Sequence, residues 1–180
     1  QMGQKGDATS LENMLRALDF IDEANKIRRM NGLEEYKISP YLMAVSQYQT
    51  NGSATFIGHT KVFSVNENLI WGCSDPENAY KRWYYDEKKN KENNSGEYGH
   101  YSNIMRADTT ITGFAICNKG RYCAGQVFWY PDYTGDERYY TVDEFRMLLK
   151  AYLEAATNAE TELESAQADY DAKLKIYQDA

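Results

Sequence analysis

The sequence predicts an α+β protein, and the order of its predicted elements is the main reason. Two amphipathic helices come first, a third helix follows a long irregular segment, and two β-rich runs then flank a short loop. Helices and strands do not alternate regularly, which argues against a parallel βαβ design. With 180 residues, 42% of them hydrophobic, the chain is large and apolar enough for one domain with its own core.

Capping signals mark the starts of the predicted helices. Thr9 and Glu12 have the spacing of a capping box ahead of an apolar stripe, and Gly32 is a natural stop for that helix. Ser39-Pro40 predicts the second helix. Ser74-Asp75-Pro76-Glu77 predicts the third, because proline at the first helical position and acids in the first turn favour a helix N-terminus.

The two β-rich runs extend from Ile111 to Cys117 and from Tyr122 to Tyr130, and Tyr139-Tyr140 is expected to add a short extended piece. A five-residue hairpin loop would place Cys117 and Cys123 opposite each other, near the short Cα separation that a disulfide requires. A tighter turn would put the two cysteines on opposite faces. The sequence therefore leaves both a Cys117–Cys123 bridge and two free thiols open.

The last part of the chain predicts a long helix. Thr141 and Glu144 form a second capping box, and neither glycine nor proline follows. Apolar or small residues recur there every seven positions: Leu149, Ala156, Leu163, Tyr170 and Tyr177. This pattern is typical of a coiled-coil seam, which would allow self-association or form a stalk, and also of one amphipathic helix docked on its own domain. We divide the chain into a domain over residues 1–140 and a C-terminal helix over residues 141–180.

The charge of the chain argues against two classes of partner. A net charge of −7 and a pI near 4.9 argue against binding to nucleic acid or to an anionic membrane surface, since both need clustered Lys and Arg. No apolar stretch approaches the roughly 20 residues of a membrane helix, so we expect no membrane span.

The chain has two histidines, and each follows a glycine. The run Gly99-His100-Tyr101-Ser102-Asn103-Ile104-Met105 resembles the Gly-His-aromatic-Ser/Thr-Gln/Asn-aliphatic-aliphatic signature of CAP domains (cysteine-rich secretory proteins, antigen 5, pathogenesis-related 1). Gly58-His59 followed by Asn66-Glu67-Asn68-Leu69 resembles the family's earlier histidine and its Glu-Asn element. Trp83-Tyr84-Tyr85-Asp86-Glu87 is similar to the family's Trp-Tyr-x-Glu helix. The resemblance implies an α-β-α sandwich, here with a long C-terminal helix.

The resemblance also implies a cleft in which two histidines and two acids converge. In this sequence the four residues are His59, Glu67, Glu87 and His100. Asp86 competes with Glu87, because Asp86 stands three residues after Trp83 as the family spacing requires. Glu87 is in register if Tyr84 takes the place of the family's tryptophan. The family's second signature is not reproduced, and Cys117-Asn118 is at best a remnant of it, so we do not assume the family's disulfide scheme.

The implied function is that of a secreted or bacterial cell-surface module. Its cleft would bind a small extracellular ligand, and the module would engage a host or cell-surface partner. Two facing imidazoles, His59 and His100, could also bind zinc or another divalent metal, with the acids fixing their tautomers. The alternative is a metal-dependent hydrolase that activates a water in the same cleft, with Glu67 as the base. No residue is assigned as catalytic.

Overall fold

The structure is a computed structural model, and it describes residues 2–134 and 138–179. These residues form two compact units, Gln1–Phe145 and Arg146–Ala180. The helices are α1 (Leu11–Met30), α2 (Pro40–Ser53), α3 (Pro76–Tyr80), α4 (Glu87–Glu92), α5 (Gly99–Ile104) and α6 (Val142–Gln178). A π-helical segment (Lys81–Asp86) joins α3 to α4, and a 3₁₀ turn (Pro131–Thr134) follows the last strand.

The first unit contains a four-stranded sheet. Its strands are β1 (Lys37–Ile38), β2 (Asn66–Trp71), β3 (Ile111–Cys117) and β4 (Cys123–Trp129), arranged in the order β1-β3-β4-β2. β1 runs parallel to β3, whereas the β3–β4 and β2–β4 pairs are antiparallel. The predicted hairpin is therefore the centre of the sheet, and β2 lies at one edge.

Helices cover both faces of this sheet. Gly113 on β3 faces α2, and a Cβ added there would lie 2.2 Å from the Leu42 backbone, so only glycine allows this close approach. The next residue, Phe114, points to the opposite face and stacks on Phe20 of α1 with 4.6 Å between ring centroids. Alternate residues of one buried strand thus contact helices on opposite sides. The predicted α+β class and α-β-α sandwich, with a long C-terminal helix, are confirmed.

Most of the predicted caps are present. The Ser39 hydroxyl accepts a hydrogen bond from the Leu42 amide at 3.1 Å, and the Asp75 carboxylate accepts one from the Glu77 amide at 3.0 Å. The capping box of α6 is complete, since the Thr141 amide donates to Glu144 at 2.8 Å and the Glu144 amide donates to Thr141 at 3.2 Å.

The predicted first capping box is wrong by one residue. Ser10 caps α1 and accepts a hydrogen bond from the Asn13 amide at 3.3 Å. The Thr9 hydroxyl instead donates to the Asp7 carboxylate at 2.6 Å. Thr9 and Ser10 have equivalent capping groups, and the turn at Asp7 decides between them by engaging the threonine.

The β3–β4 hairpin places Cys117 directly opposite Cys123, as a five-residue loop predicts. Both cysteines are buried and both are free thiols, so the bridge is not formed in this structure. Burial raises the pKa of Cys117 above its usual value and that of Cys123 to about 12, which favours the protonated thiol.

The second unit is a single helical segment. Side chains from Ala151 to Asp179 are exposed along its whole length. Across the described residues, no helix combines the length and apolarity needed to cross a membrane.

Candidate functional site

The first of the two histidines pairs with Glu67. His59 lies between α2 and β2, and its Nδ1–H donates to Glu67 Oε2 at 2.5 Å. The Gln49 amide of α2 donates to Glu67 Oε1 at 2.8 Å, so both carboxylate oxygens accept a hydrogen bond. The Glu67 side chain is only 5% exposed, and this burial raises its pKa above the usual value. The hydrogen bonds from His59 and Gln49 act in the opposite direction, because they stabilise the ionised carboxylate.

The second histidine pairs with Glu87 at the start of α4. His100 lies in the first turn of α5, and its Nδ1–H donates to Glu87 Oε1. The other carboxylate oxygen accepts a hydrogen bond from the Tyr101 amide at 3.0 Å. The His100 ring stacks on the buried Trp83 indole with 5.8 Å between ring centroids. One carboxylate and one indole thus fix the orientation of this imidazole.

The π-helical segment determines which third-helix acid contacts His100. Its hydrogen bonds run from residue i to i+5, and this widens the turn that contains Trp83. Glu87, four residues after Trp83, contacts His100 together with that tryptophan. The Asp86 carboxylate lies 3.9 Å from the Lys81 ammonium and is about half exposed. The spacing of three residues that favoured Asp86 fails here, because it assumes an ordinary α-helical turn.

Two asparagines lie between the histidine pairs. The Asn68 amide of β2 donates to the His100 carbonyl at 3.2 Å, and the Asn103 amide of α5 donates to Asn68 Oδ1 at 2.9 Å. Asn103 and Glu67 both line a cavity of about 380 Å³ that includes His59. His100 and Glu87 line another cavity, of about 270 Å³, and the described residues around the two cavities do not overlap. The structure therefore gives each histidine its own carboxylate and its own cavity.

The donor set can be compared with what a metal ion needs. A carboxylate that accepts from Nδ1–H leaves Nε2 of each imidazole as its ligand atom, and this is the arrangement usual for metal-binding histidines. Within the described ranges, no group of three or more His, Cys, Asp or Glu side chains is arranged to hold a metal ion. A metal ion at these histidines would therefore take at most two of these side chains as ligands, through Nε2 of His59 or His100, and waters or a bound molecule would complete its coordination.

The Ser102 hydroxyl and the Cys73 thiol hydrogen-bond to backbone carbonyls and not to an imidazole. Ser102 lies on α5, a helix that the sequence does not predict, and its hydroxyl donates to the Tyr98 carbonyl at 2.8 Å. The Cys73 thiol donates to the Asp75 carbonyl at 3.5 Å. Neither residue has the geometry of a nucleophile activated by a histidine.

Sequence reasoning missed the amides that support the site. Gln49, Asn68 and Asn103 are held by contacts between α2, β2 and α5. Asn68 and Asn103 stand inside the two motifs that identify the histidines, which is a signal that could have marked them. Gln49 carries no such signal, because it is one polar residue on an otherwise ordinary helix.

Residues 21–133 match the sequence model of CAP, the cysteine-rich secretory protein family. No curated protein is significantly similar to the chain in sequence. Among solved structures, the chain is similar to NaASP2 with Zn²⁺, at 12% identity and a TM-score of 0.51, over 71% of this chain and 83% of that one. It is also similar to an outer surface protein from Borrelia burgdorferi, at 16% identity and a TM-score of 0.50, over 71% and 97% of the two chains.

A cysteine-rich secretory protein from Staphylococcus aureus subsp. aureus Mu50 aligns at 13% identity with a TM-score of 0.49. This alignment covers 64% of the present chain but 39% of the staphylococcal chain, so the present chain spans well under half of that relative. At these identities the structural matches concern the fold alone.

Proposed function

Because this chain belongs to the cysteine-rich secretory protein (CAP) family, we propose that it is a secreted or bacterial cell-surface binding module. Members of this family are typically secreted or surface proteins, and a bacterial outer surface protein shares the fold. The proposed cleft residues are His59, Glu67, Glu87 and His100. They would bind a divalent metal ion, a small extracellular ligand, or both. Membership of this family is also the reason for proposing a host or cell-surface partner.

One observation carries the proposal, namely that each histidine donates from Nδ1 to its own carboxylate. An ionised carboxylate can only accept, so this contact places the proton on Nδ1 and leaves a lone pair on Nε2. Both carboxylates are largely buried, and both have a second hydrogen bond that holds them in place. This arrangement leaves Nε2 of each imidazole as the atom that would bind a ligand or a metal ion.

Zinc is the first metal to test. Neutral imidazole is a usual zinc ligand, and a protein of the same fold has been solved with Zn²⁺. In this chain a bound zinc ion would polarise a ligand oxygen, while Glu67 and Glu87 orient the two rings. Because two histidines supply fewer than the usual three or four protein ligands, we expect weak binding.

The decisive comparison is between two neighbouring acids of the third helix. We expect Glu87→Gln to weaken zinc binding about 10- to 100-fold, since it replaces the charged carboxylate that orients His100 by a neutral amide, a weaker acceptor. Asp86→Asn removes a charge one residue away, from a carboxylate that does not contact His100, and should leave the affinity unchanged. Isothermal titration with zinc chloride measures both variants, with circular dichroism as the check on folding.

The histidine variants complete this test. His59→Ala and His100→Ala should each reduce zinc affinity, because each removes one Nε2 ligand. If neither variant changes the titration, or if Asp86→Asn and Glu87→Gln weaken it equally, the proposed metal site is wrong.

The structure offers no comparable support for the hydrolase alternative. Its base would be Glu67, whose two oxygens already accept hydrogen bonds from His59 and Gln49. Ser102 and Cys73 both donate to backbone carbonyls. We therefore propose binding and not catalysis.

A further inference from the structure

The cavity beside His100 is lined mostly by residues that do not belong to the two histidine–carboxylate pairs. It lies at the free edge of β2, between that strand and the π-helical segment, and its volume is about 270 Å³. Leu69, Ile70 and Trp71 of β2 line one side, and Trp83 and Arg82 line the other. This volume lies below the usual 300–1,000 Å³ of pockets for drug-sized ligands, so a small molecule would fill it.

The two tryptophans present apolar surface to this cavity. The indole N–H of Trp71 donates to the Ser53 carbonyl at 2.9 Å, and that of Trp83 donates to the Leu69 carbonyl at 3.3 Å. Both indole donors are thus satisfied within the protein, so the partly exposed Trp71 and the edge of the buried Trp83 present hydrocarbon to the cavity.

Arg82 is the one lysine or arginine among the described residues that line the cavity; of the other polar lining residues, Glu87 already accepts hydrogen bonds from His100 and the Tyr101 amide. Arg82 is exposed, and across residues 2–134 and 138–179 it forms no ion pair or hydrogen bond. An unneutralised guanidinium is notable in a chain with a net charge of −7, in which acids outnumber Lys and Arg by 27 to 20. Its planar fork of N–H donors matches the two oxygens of a carboxylate.

We propose that this cavity binds a small monocarboxylate with an apolar body. The body would contact Trp71 and Trp83, and the carboxylate would pair with Arg82. The inference rests on the proposed function in one respect, since His100 and Glu87 form part of the same cavity wall. The ligand class is thus a small apolar monocarboxylate, and Arg82 is the residue that distinguishes a charged ligand from a neutral one.

The probe for this proposal is 3-phenylpropionate, and its neutral amide, 3-phenylpropanamide, is the matched control ligand. We expect the carboxylate to bind at least tenfold more tightly than the amide, because only the carboxylate can pair with Arg82. Calorimetry in the presence of EDTA measures both affinities without metal ions. Quenching of tryptophan fluorescence in the Trp129→Phe variant reports on Trp71 and Trp83 alone.

Arg82→Gln should remove the preference for the carboxylate, so that acid and amide bind equally. Arg121→Gln removes an exposed arginine from the β3–β4 loop and should preserve the full preference. Trp71→Leu should weaken both ligands by a similar factor, because it reduces the apolar wall without changing the charge. Circular dichroism establishes that each variant is folded.

Equal binding of acid and amide by the wild-type protein would overturn the proposal, as would equal losses in Arg82→Gln and Arg121→Gln. The zinc experiment fails or succeeds separately. Zinc binding without carboxylate binding contradicts this inference alone, and carboxylate binding in EDTA without zinc binding contradicts the metal site alone.

Discussion

At the scale of single residues, Arg28 is a buried charge that is held by backbone groups. Its guanidinium donates to the carbonyls of Glu34 at 2.5 Å, Ile104 at 2.9 Å and Arg106 at 2.9 Å. It also lies 4.0 Å from the centre of the Tyr36 ring. Burial raises the pKa of Tyr36 to about 12, with Arg28 acting in the opposite direction, so the tyrosine is neutral beside the arginine. Arg28 therefore ties the end of α1 to the segment after α5.

Arg28→Lys should destabilise the protein by about 2–4 kcal/mol, because one ammonium group cannot replace a guanidinium that contacts three carbonyls and a ring. Arg29→Lys is the matched control, since Arg29 is exposed and pairs with Glu35 at the surface. We expect that change to cost less than about 0.5 kcal/mol. Urea unfolding measures both variants, and equal costs would show that the buried contacts of Arg28 contribute nothing particular.

The raised pKa of Glu67 predicts how the stability of the protein depends on pH. Burial raises its pKa in the folded protein, so folding favours the protonated carboxyl, whereas the usual value of 4.5 applies to the unfolded chain. Its contribution to stability is then fully present below pH 4.5 and is lost as the pH rises through the raised folded value. The free energy of unfolding of the wild type, relative to Glu67→Gln, should fall between pH 4.5 and neutrality. Urea unfolding across that range measures the difference.

Glu97→Gln supplies the baseline for the loss of one exposed carboxylate. A wild-type advantage over Glu67→Gln that stays constant with pH, or that grows towards neutrality, would contradict the assignment of burial as the dominant influence on Glu67.

The candidate site shows what the sequence can predict at this scale. Motif resemblance marked His59, Glu67, Glu87 and His100, and the structure places them in two hydrogen-bonded pairs. The choice between Asp86 and Glu87 could not be made from spacing, because it depends on a π-helical turn, and no residue in the segment predicts such a turn. Asn68 and Asn103 stand inside the two histidine motifs, but the motifs do not show that these two side chains hydrogen-bond to each other.

At the scale of elements, the sequence predicted the helices with strong caps and missed the short ones. α2 begins at Ser39-Pro40 as predicted, since the cap and the proline are local signals. α5 is six residues long, and its N-cap Tyr98 makes no side-chain hydrogen bond. β2 was also missed, because Asn66-Glu67-Asn68 is a poor strand sequence that is held by its antiparallel pairing with β4. Tertiary contacts form both elements.

The two cysteines of the β3–β4 hairpin should react slowly with thiol reagents in the folded protein. The thiolate is the reactive form, and burial together with raised pKa values keeps Cys117 and Cys123 protonated. The native protein should therefore react slowly with Ellman's reagent at pH 8, and the protein unfolded in urea without reductant should release three equivalents. Release of only one equivalent after unfolding would show that Cys117 and Cys123 are bridged in the isolated protein.

At the scale of the whole molecule, the sandwich follows from one strand with two apolar faces. Every residue of β3 is buried, so helices must cover both sides of the sheet. The sequence indicated this through a run of apolar residues from Ile111 to Cys117. It could not indicate the strand order β1-β3-β4-β2, because β1 has two residues and pairs with a strand more than seventy positions away. Contacts that distant in sequence leave no periodic trace.

The heptad seam of the second unit predicts association between copies of the chain. From Ala156 onward the seven-residue seam is exposed, with Leu163, Tyr170 and Tyr177 exposed by 69%, 59% and 82%. We propose that the seams of two copies pack together, since a heptad row of apolar and small residues allows close approach of helices. Sedimentation velocity should then show a concentration-dependent dimer for the full chain.

Leu163→Glu combined with Tyr170→Glu should make the chain monomeric, because both charges fall on the seam. Thr161→Glu combined with Ala168→Glu adds the same two charges two residues before each of these seam positions. These positions lie on the side of the helix that faces away from the seam, so this variant should preserve the dimer. Truncation after Lys150 removes only exposed described residues and should also give a monomer, with the urea midpoint of the first unit unchanged. A monomer at every concentration of the full chain, or equal dissociation in both double variants, would show that the seam does not mediate association.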